Sequence, residues 1–181
     1  GTKEGADYQI VNYQLLKDRT RITLKISNML YEIETNLVAK FNIYNLVAAI
    51  AALHSSGVSI EQMLPTIKSL HQIEGRMERI DEGQPFNIIV DFGHTPDGIE
   101  QVCKYASAIT PKGKRIISIT GSAGKRDTEK RPIFGEILDK YSDMIILTED
   151  DPRDEDPIEI AKEIATGIKN TNYILIEDRY D

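Results

Sequence analysis

The chain has 181 residues, 40% of them hydrophobic, and a formal net charge of -7. This length suits one large domain or two small ones with a buried core. The acidic balance argues against a broad basic surface for nucleic acid, and no apolar run reaches the roughly 18 residues of a membrane-spanning helix. The single cysteine, Cys103, excludes a disulfide framework and suits a small buried hydrophobe. We expect a cytoplasmic protein.

The first part of the chain predicts a hairpin followed by two helices. Residues 21–26 and 31–34 alternate apolar and polar side chains on either side of a Ser27-Asn28 turn. Apolar residues at helical spacing then predict one helix over residues 42–57 and a second from residue 59. These elements are too few to predict an independent core, which suggests part of a larger domain.

After Gly75 the chain alternates strands and helices. Strands are predicted at residues 87–91, 115–120, 144–148 and 173–176, and helices at 96–109, 129–141 and 157–168. The strands are short, apolar and β-branched, as is typical of strands covered on both faces. Such alternation predicts right-handed βαβ units and a mostly parallel sheet of the α/β class. We place a domain boundary near residue 75, between segments 1–75 and 76–181.

Polar residues follow the first of these strands. Asp91 lies at the end of this strand, at a position where an acidic residue can accept hydrogen bonds from a ribose diol. Thr95 can cap the next helix, so capping explains Thr95 but neither Asp91 nor His94. A single histidine at a strand end is more often structural than catalytic.

The loop after the second strand, residues 121–132, contains two glycines and four basic side chains. The glycines allow a ligand to approach the backbone, but their spacing differs from that of a P-loop. Two interpretations therefore remain: the loop is an anion-binding site, or it is a mobile loop without a ligand.

The loop after the third strand combines acidic residues with one arginine. Asp156 and Pro157 suit an N-cap and a first helical residue, and Glu159 suits a capping box. Asp151 and Arg153 are left over, and they can bind the amine and the carboxylate of a zwitterion; the alternative is a solvated turn. Because three such loops follow successive strands, we expect them at one edge of one sheet, where open α/β folds bind ligands.

Five ordered motifs resemble the Mur ligase family. They are Phe41-Asn42-Ile43-Tyr44-Asn45, Gly75-Arg76-Met77-Glu78, Asp91-Phe92-Gly93-His94-Thr95-Pro96-Asp97, Arg126-Asp127 with Lys130-Arg131-Pro132, and Asp150-Asp151-Pro152-Arg153. The resemblance covers essentially the whole chain but less than half of a full-length member. It implies that residues 1–75 are the C-terminal part of a central ATP-binding domain. Residues 76–181 then resemble the Rossmann-like C-terminal domain of the family, incomplete at its C-terminus.

The resemblance is closest to members that add the third amino acid of the peptidoglycan stem peptide. It implies an ATP- and Mg2+-dependent ligase that joins meso-diaminopimelate to UDP-MurNAc-L-Ala-D-Glu through an acyl phosphate. The implied ATP-binding residues are Asn42, Asn45, Arg76, Asp91, His94 and Thr95, and the implied amino-acid-binding residues are Arg126, Asp150, Asp151 and Arg153. No metal ligand is implied. The phosphate-binding Gly-Lys-Thr loop of the family is absent, so we expect this chain alone to be inactive.

Arg153 favours diaminopimelate over lysine, because a guanidinium can pair in a bidentate manner with the second carboxylate of diaminopimelate. Asp151 stands where the resembling ligases have Asn, and it adds a negative charge beside this carboxylate. Three alternatives stay open: a lysine-adding ligase or divergent paralogue, a ligase similar to folylpolyglutamate synthetase, and a non-catalytic module that binds a nucleotide or an amino acid.

Overall fold

The computed structural model describes residues 1–16 and 18–180 and divides into two units, the first ending at Phe92 and the second beginning at Gly93. The domain boundary near residue 75 was inferred from a change in sequence pattern. It stays a prediction, because a compact unit of the structure need not coincide with a domain that is defined by homology.

The first unit contains an antiparallel sheet and two helices. Its elements are β1 (Tyr8–Leu15), β2 (Thr20–Ile26), β3 (Met29–Thr35), α1 (Lys40–Ser55) and α2 (Ile60–Ser69), and the strand order is β1-β2-β3. The predicted hairpin is confirmed as β2 and β3, with Ser27 in the left-handed region at φ 54°. Strand β1 was not predicted.

One face of this sheet packs against both helices to form a core. The buried residues are Ile10, Ile22, Leu24, Ile26, Ile33, Ile43, Leu46, Val47, Ile50, Ile60, Met63 and Ile67. Along β2 every second residue is buried, which is the period expected of a strand with one covered face. The expectation that this part has too few elements for a core of its own was therefore wrong, since β1 adds a third strand.

The first unit ends with a second, two-stranded antiparallel sheet. Strand β4 (Glu78–Ile80) pairs with β5 (Ile88–Val90), and Arg79 lies opposite Ile89. We predicted β5 as the first strand of the parallel sheet, and this was wrong. The apolar pattern of a short strand does not identify its partner, and the mostly polar β4 gave no strand signal.

The second unit contains a parallel sheet with helices between its strands. Its elements are α3 (Pro96–Ile109), β6 (Ile117–Thr120), α4 (Lys130–Tyr141), β7 (Met144–Leu147), α5 (Pro157–Ala165) and β8 (Tyr173–Leu175). The strand order is β6-β7-β8, with Thr120 opposite Leu147, so the predicted α/β class and parallel pairing are confirmed for these strands. The core includes Phe134, Ile145 and Ile164, and the single cysteine, Cys103, is buried as predicted.

Helix α4 closely approaches the C-terminal end of α5 through two glycines, Gly135 within α4 and Gly167 just after α5. A Cβ atom on Gly135 would lie 2.0 Å from the carbonyl oxygen of Ile164, and one on Gly167 would lie 1.9 Å from that of Pro132. This contact brings the first turn of α4 beside α5. No helix in the part of the chain that the structure describes is long and apolar enough to cross a membrane.

The start of α5 differs from its prediction in one respect. Asp156 is the N-cap and Pro157 the first helical residue, as predicted, and the Asp156 carboxylate accepts a hydrogen bond from the backbone N–H of Ile158 at 2.8 Å. Glu159 does not complete a capping box. Its carboxylate instead pairs with the ammonium of Lys162 at 2.6 Å, one turn further along the helix.

Candidate functional site

Two loops at the carboxyl edge of the parallel sheet are in direct backbone contact. They are the β6–α4 loop (residues 121–129) and the β7–α5 loop (residues 148–156). The N–H of Gly124 donates to the carbonyl oxygen of Asp151 at 3.0 Å. A Cβ atom on Gly121 would lie 2.3 Å from the carbonyl oxygen of Thr148, and one on Gly124 would lie 1.9 Å from that of Pro152. Only glycine therefore permits this approach.

Arg131, in the first turn of α4, joins both loops to α5. Its side chain is fully buried, and Nη1 pairs with the carboxylates of Glu155 at 2.9 Å and Glu163 at 2.8 Å. Its Nη2 donates to the carbonyl oxygen of Ala123 at 3.3 Å. Burial acts to lower the pKa of Arg131, but the hydrogen bonds to both glutamates outweigh it and leave that pKa above its ordinary value. Sequence reasoning placed Arg131 among the basic residues of a motif and missed this internal role.

The other basic residues of this region differ in what they contact. The ammonium of Lys125 pairs with the carboxylate of Asp154, and the ammonium of Lys130 donates to the carbonyl oxygen of His94 at 2.9 Å. Arg126 is exposed, and its guanidinium has no ion-pair partner within residues 1–16 and 18–180. Of the four basic side chains, Arg126 thus has neither an ion pair nor a hydrogen bond within the described part of the chain.

The β7–α5 loop places Asp151 and Arg153 side by side. Their charged groups lie 3.5 Å apart, and the side chains are 67% and 37% exposed, respectively. Both residues have positive φ, 50° at Asp151 and 56° at Arg153. The left-handed region is unfavourable for most residues but tolerated by Asp and Asn, so Asp151 suits this backbone conformation. Asp150 is the fourth residue predicted to bind the amino acid, and its Oδ1 lies 3.6 Å from Nη2 of Arg179.

Two hydroxyl groups at this edge of the sheet were missed in the sequence. Ser122 and Thr148 follow β6 and β7 and are only 4% and 5% exposed. Neither hydroxyl has a hydrogen-bond partner among the residues that the structure describes. An unpaired buried hydroxyl costs about 1–3 kcal/mol, so such groups are uncommon away from functional sites. The available signal was a Ser two residues after one predicted strand and a Thr at the end of another.

In the first unit, the structure brings Arg76 and Asp91 together. The Asp91 carboxylate accepts from the N–H of Met77 at 2.8 Å, and the carbonyl oxygen of Gly75 accepts from the N–H of Phe92, also at 2.8 Å. The guanidinium of Arg76 lies 5.2 Å from the centre of the Phe92 ring. These contacts fix the turn before β4 against the end of β5.

Asn42 and Asn45 also contact each other. The side-chain N–H of Asn45 donates to the Asn42 side-chain oxygen at 3.4 Å, and the side-chain N–H of Asn42 donates to the carbonyl oxygen of Val38 at 2.8 Å. Both lie near the start of α1, where the N-cap, Ala39, makes no side-chain capping hydrogen bond. The N–H groups of the first helical turn therefore lack a side-chain acceptor from the N-cap.

The remaining predicted nucleotide residues, His94 and Thr95, belong to the second unit. Thr95 is the N-cap of α3, and its hydroxyl accepts from the N–H of Gly98 at 3.2 Å, so the capping prediction is confirmed. Within residues 1–16 and 18–180, no group of three His, Cys, Asp or Glu side chains can hold a metal ion.

Comparison with known families identifies the fold. The family model described as "Mur ligase, glutamate ligase domain" matches residues 75–181. The chain belongs to the Mur ligase family. The resemblance inferred from the five motifs is therefore confirmed at the level of the family.

Relatives in the Mur ligase family align with nearly the whole chain. It is 38% identical over 181 residues to UDP-N-acetylmuramoyl-L-alanyl-D-glutamate–2,6-diaminopimelate ligase 1 of Clostridium acetobutylicum, covering 99% of this chain and 37% of the relative. It is 38% identical over 171 residues to the corresponding ligase of Aquifex aeolicus, covering 94% of this chain and 35% of the relative. The chain thus spans about a third of the length of the curated relatives it matches.

Two solved structures share the fold. One UDP-N-acetylmuramoyl-L-alanyl-D-glutamate–2,6-diaminopimelate ligase matches with a TM-score of 0.64 and 29% identity, over 98% of this chain and 36% of that one. A Mycobacterium tuberculosis folylpolyglutamate synthase matches with a TM-score of 0.75 and 15% identity, over 94% of this chain and 39% of that one. The second match shows similarity of fold alone.

Proposed function

We propose that the chain is part of a cytoplasmic ATP-dependent ligase that adds meso-diaminopimelate to UDP-MurNAc-L-Ala-D-Glu during peptidoglycan synthesis. The observation that carries this proposal is the contact between the two loops, which presents Arg126 and Arg153 from adjacent strand ends. Relatives named as diaminopimelate ligases support it. The carboxyl edge of a parallel sheet is also the general ligand site of α/β folds.

The Asp151–Arg153 pair supplies both signs of charge that an amino acid needs. Arg153 can bind a carboxylate through two N–H groups, and Asp151 can bind the neighbouring ammonium. The unpaired Arg126 provides a second cation. Diaminopimelate carries a zwitterionic group at each end, whereas lysine lacks the second carboxylate. An acid at position 151 is therefore compatible with diaminopimelate, because the negative charge of Asp151 faces an ammonium group.

The ATP-binding residues that we propose are Asn42, Asn45, Arg76, Asp91, His94 and Thr95. The uncapped first turn of α1 and the contact between the two asparagines suit a polar ligand at that helix end. Asp91 suits hydrogen bonds from ribose hydroxyls. When bound, ATP supplies the phosphoryl group that activates the D-glutamyl carboxylate. Mg2+ is proposed as its counterion, and we assign it no ligand among the described residues.

The residues of this chain then have binding and orienting roles. Arg126, Asp151 and Arg153 bind the incoming amino acid and orient its reactive amine, and the buried hydroxyls of Ser122 and Thr148 offer hydrogen bonds at the same edge. Orientation of this kind is a large source of rate enhancement, since it replaces a bimolecular encounter by a fixed geometry.

The proposal is tested with the full-length protein that contains these residues. Phosphate release from ATP is measured with UDP-MurNAc-L-Ala-D-Glu and either meso-diaminopimelate, L-lysine or D-alanyl-D-alanine. We expect release with diaminopimelate to exceed that with the other two, and no release from the 181-residue chain alone. Equal release with a pteroyl substrate and glutamate, or none with any Mur substrate, would contradict the proposal.

A further inference from the structure

One carboxylate connects the two loops of the amino-acid site. Glu155, in the β7–α5 loop, accepts a hydrogen bond from the backbone N–H of Lys125 in the β6–α4 loop through Oε1. Its Oε2 pairs with Nη1 of the buried Arg131 at 2.9 Å. Arg131 in turn donates to the carbonyl oxygen of Ala123. Glu155 is therefore bonded to the chain on both sides of Arg126.

The position of Glu155 links it to both candidate selectivity residues. Lys125 directly precedes Arg126, and Glu155 follows Arg153 by two residues. Lys125 and Arg153 both lie in the left-handed region, with φ of 50° and 56°. A non-glycine residue remains in this region only where its surroundings fix it. The hydrogen bond to Glu155 provides such a constraint on the backbone that carries Arg126.

The charge state of Glu155 supports the same role. The hydrogen bond from Arg131, followed by the one from the backbone N–H of Lys125, holds the pKa of the Glu155 carboxyl below its ordinary value. The group is thus ionised throughout the neutral range and accepts both hydrogen bonds there.

We propose that Glu155, fixed by Arg131, is a positioning residue that sets the spacing between Arg126 and Arg153, and so the preference for an amino acid with two carboxylates. This inference rests on the proposed function. An amino acid with a carboxylate at each end needs its two guanidinium partners at one separation, because both pairs must form together. Lysine has only one carboxylate, and its binding depends less on that separation.

The test uses the full-length ligase and the variants Glu155→Ala, Glu155→Gln and Glu163→Gln. Glu163 provides the matched control, because it pairs with the same atom of Arg131 at 2.8 Å but lies in α5, and within residues 1–16 and 18–180 its carboxylate has no ion pair with either loop. Glu155→Ala is expected to raise KM for diaminopimelate about tenfold or more, since a misplacement of binding groups by about 1 Å can reduce the efficiency of an enzyme about a hundredfold. KM for ATP should change by less than about twofold, and the ratio of kcat/KM for diaminopimelate to kcat/KM for lysine should fall.

The intermediate variant and the control complete the design. Glu155→Gln keeps an oxygen for the N–H of Lys125 but loses the charge facing Arg131, so we expect a smaller rise in KM, about threefold. It also keeps the proposal testable if Glu155→Ala does not fold. Glu163→Gln should leave KM for diaminopimelate unchanged.

Three results would overturn the inference. If Glu155→Gln and Glu163→Gln have equal effects on KM, or if Glu155 variants lower only kcat together with the melting temperature, Glu155 is merely structural. If the wild-type ligase does not use diaminopimelate at all, the proposed function itself fails, and the inference fails with it.

Discussion

Substitution of Gly124 by alanine tests whether the β6–α4 and β7–α5 loops are in backbone contact. A Cβ atom at this position would lie 1.9 Å from the carbonyl oxygen of Pro152, whereas ordinary contacts begin near 3.4 Å. Relief of the clash requires the two loops to separate by about 1.5 Å. The φ angle of Gly124 is outside the left-handed region, so the effect of alanine is steric rather than conformational.

The expected cost follows from the atoms that must move. Overpacking of this kind costs about 1–3 kcal/mol. The same displacement breaks the 3.0 Å hydrogen bond from Gly124 to Asp151, which contributes about 1 kcal/mol. We therefore expect Gly124→Ala to lower the free energy of unfolding by about 2–4 kcal/mol. Urea denaturation of the 181-residue chain, followed by circular dichroism, measures it.

Gly135→Ala is the matched control for Gly124→Ala. Its Cβ atom would lie 2.0 Å from the carbonyl oxygen of Ile164, which is an equal clash, but between α4 and α5. We expect Gly135→Ala to destabilise the chain too, but by about 1 kcal/mol less, because alanine has a higher helix propensity than glycine. In the full-length ligase, only Gly124→Ala should raise KM for diaminopimelate. A free energy of unfolding within about 0.5 kcal/mol of wild type for Gly124→Ala would refute the loop contact.

Thr95→Ala is expected to lower the free energy of unfolding by about 1 kcal/mol in urea denaturation, because it removes the N-cap acceptor of α3, while Thr95→Ser keeps it. By the same measurement, Asp151→Ala should cost about 1 kcal/mol more than Asp151→Asn, since φ is 50° at this position; equal costs would contradict the strain assignment. Burial alone would raise the pKa of the Asp139 carboxyl, but the backbone N–H groups of Asn170 and Thr171 lower it well below its ordinary value. The stability from this lowered pKa is present above about pH 4 and is lost as the pH falls further, so Asp139→Asn should flatten the acid-side loss of stability; an unchanged pH profile would refute this.

The sequence predicted those elements whose periodicity is regular. Helix α3 begins and ends at the predicted residues, because its apolar positions, Thr95 cap and Pro96 agree with one another. Strand β1 was missed because a bulge between Ile10 and Asn12 interrupts its alternation. Strand β4 has only three residues, two of them charged, and without it the partner of β5 could not be inferred.

The candidate site was only partly accessible from sequence. The rule that ligands bind at strand ends selected the two loops with Asp151 and Arg153, and the family resemblance then added Arg126. It did not show that Arg131 is buried, because its partners Glu155 and Glu163 lie far away in the chain and meet it only after α4 and α5 pack. A basic residue in the first turn of a helix otherwise suggests a solvated side chain, so folding was needed to identify this connection.

The ratio of kcat/KM for meso-diaminopimelate to that for L-lysine tests the central claim most directly. It is measured for the full-length ligase and for its Arg153→Ala and Arg153→Lys variants. We predict that the wild type prefers diaminopimelate by about 10³–10⁴-fold and that Arg153→Ala lowers this preference about a hundredfold, with Arg153→Lys between them. A wild-type preference for lysine, or a ratio that is the same in Arg153→Ala, would contradict the account.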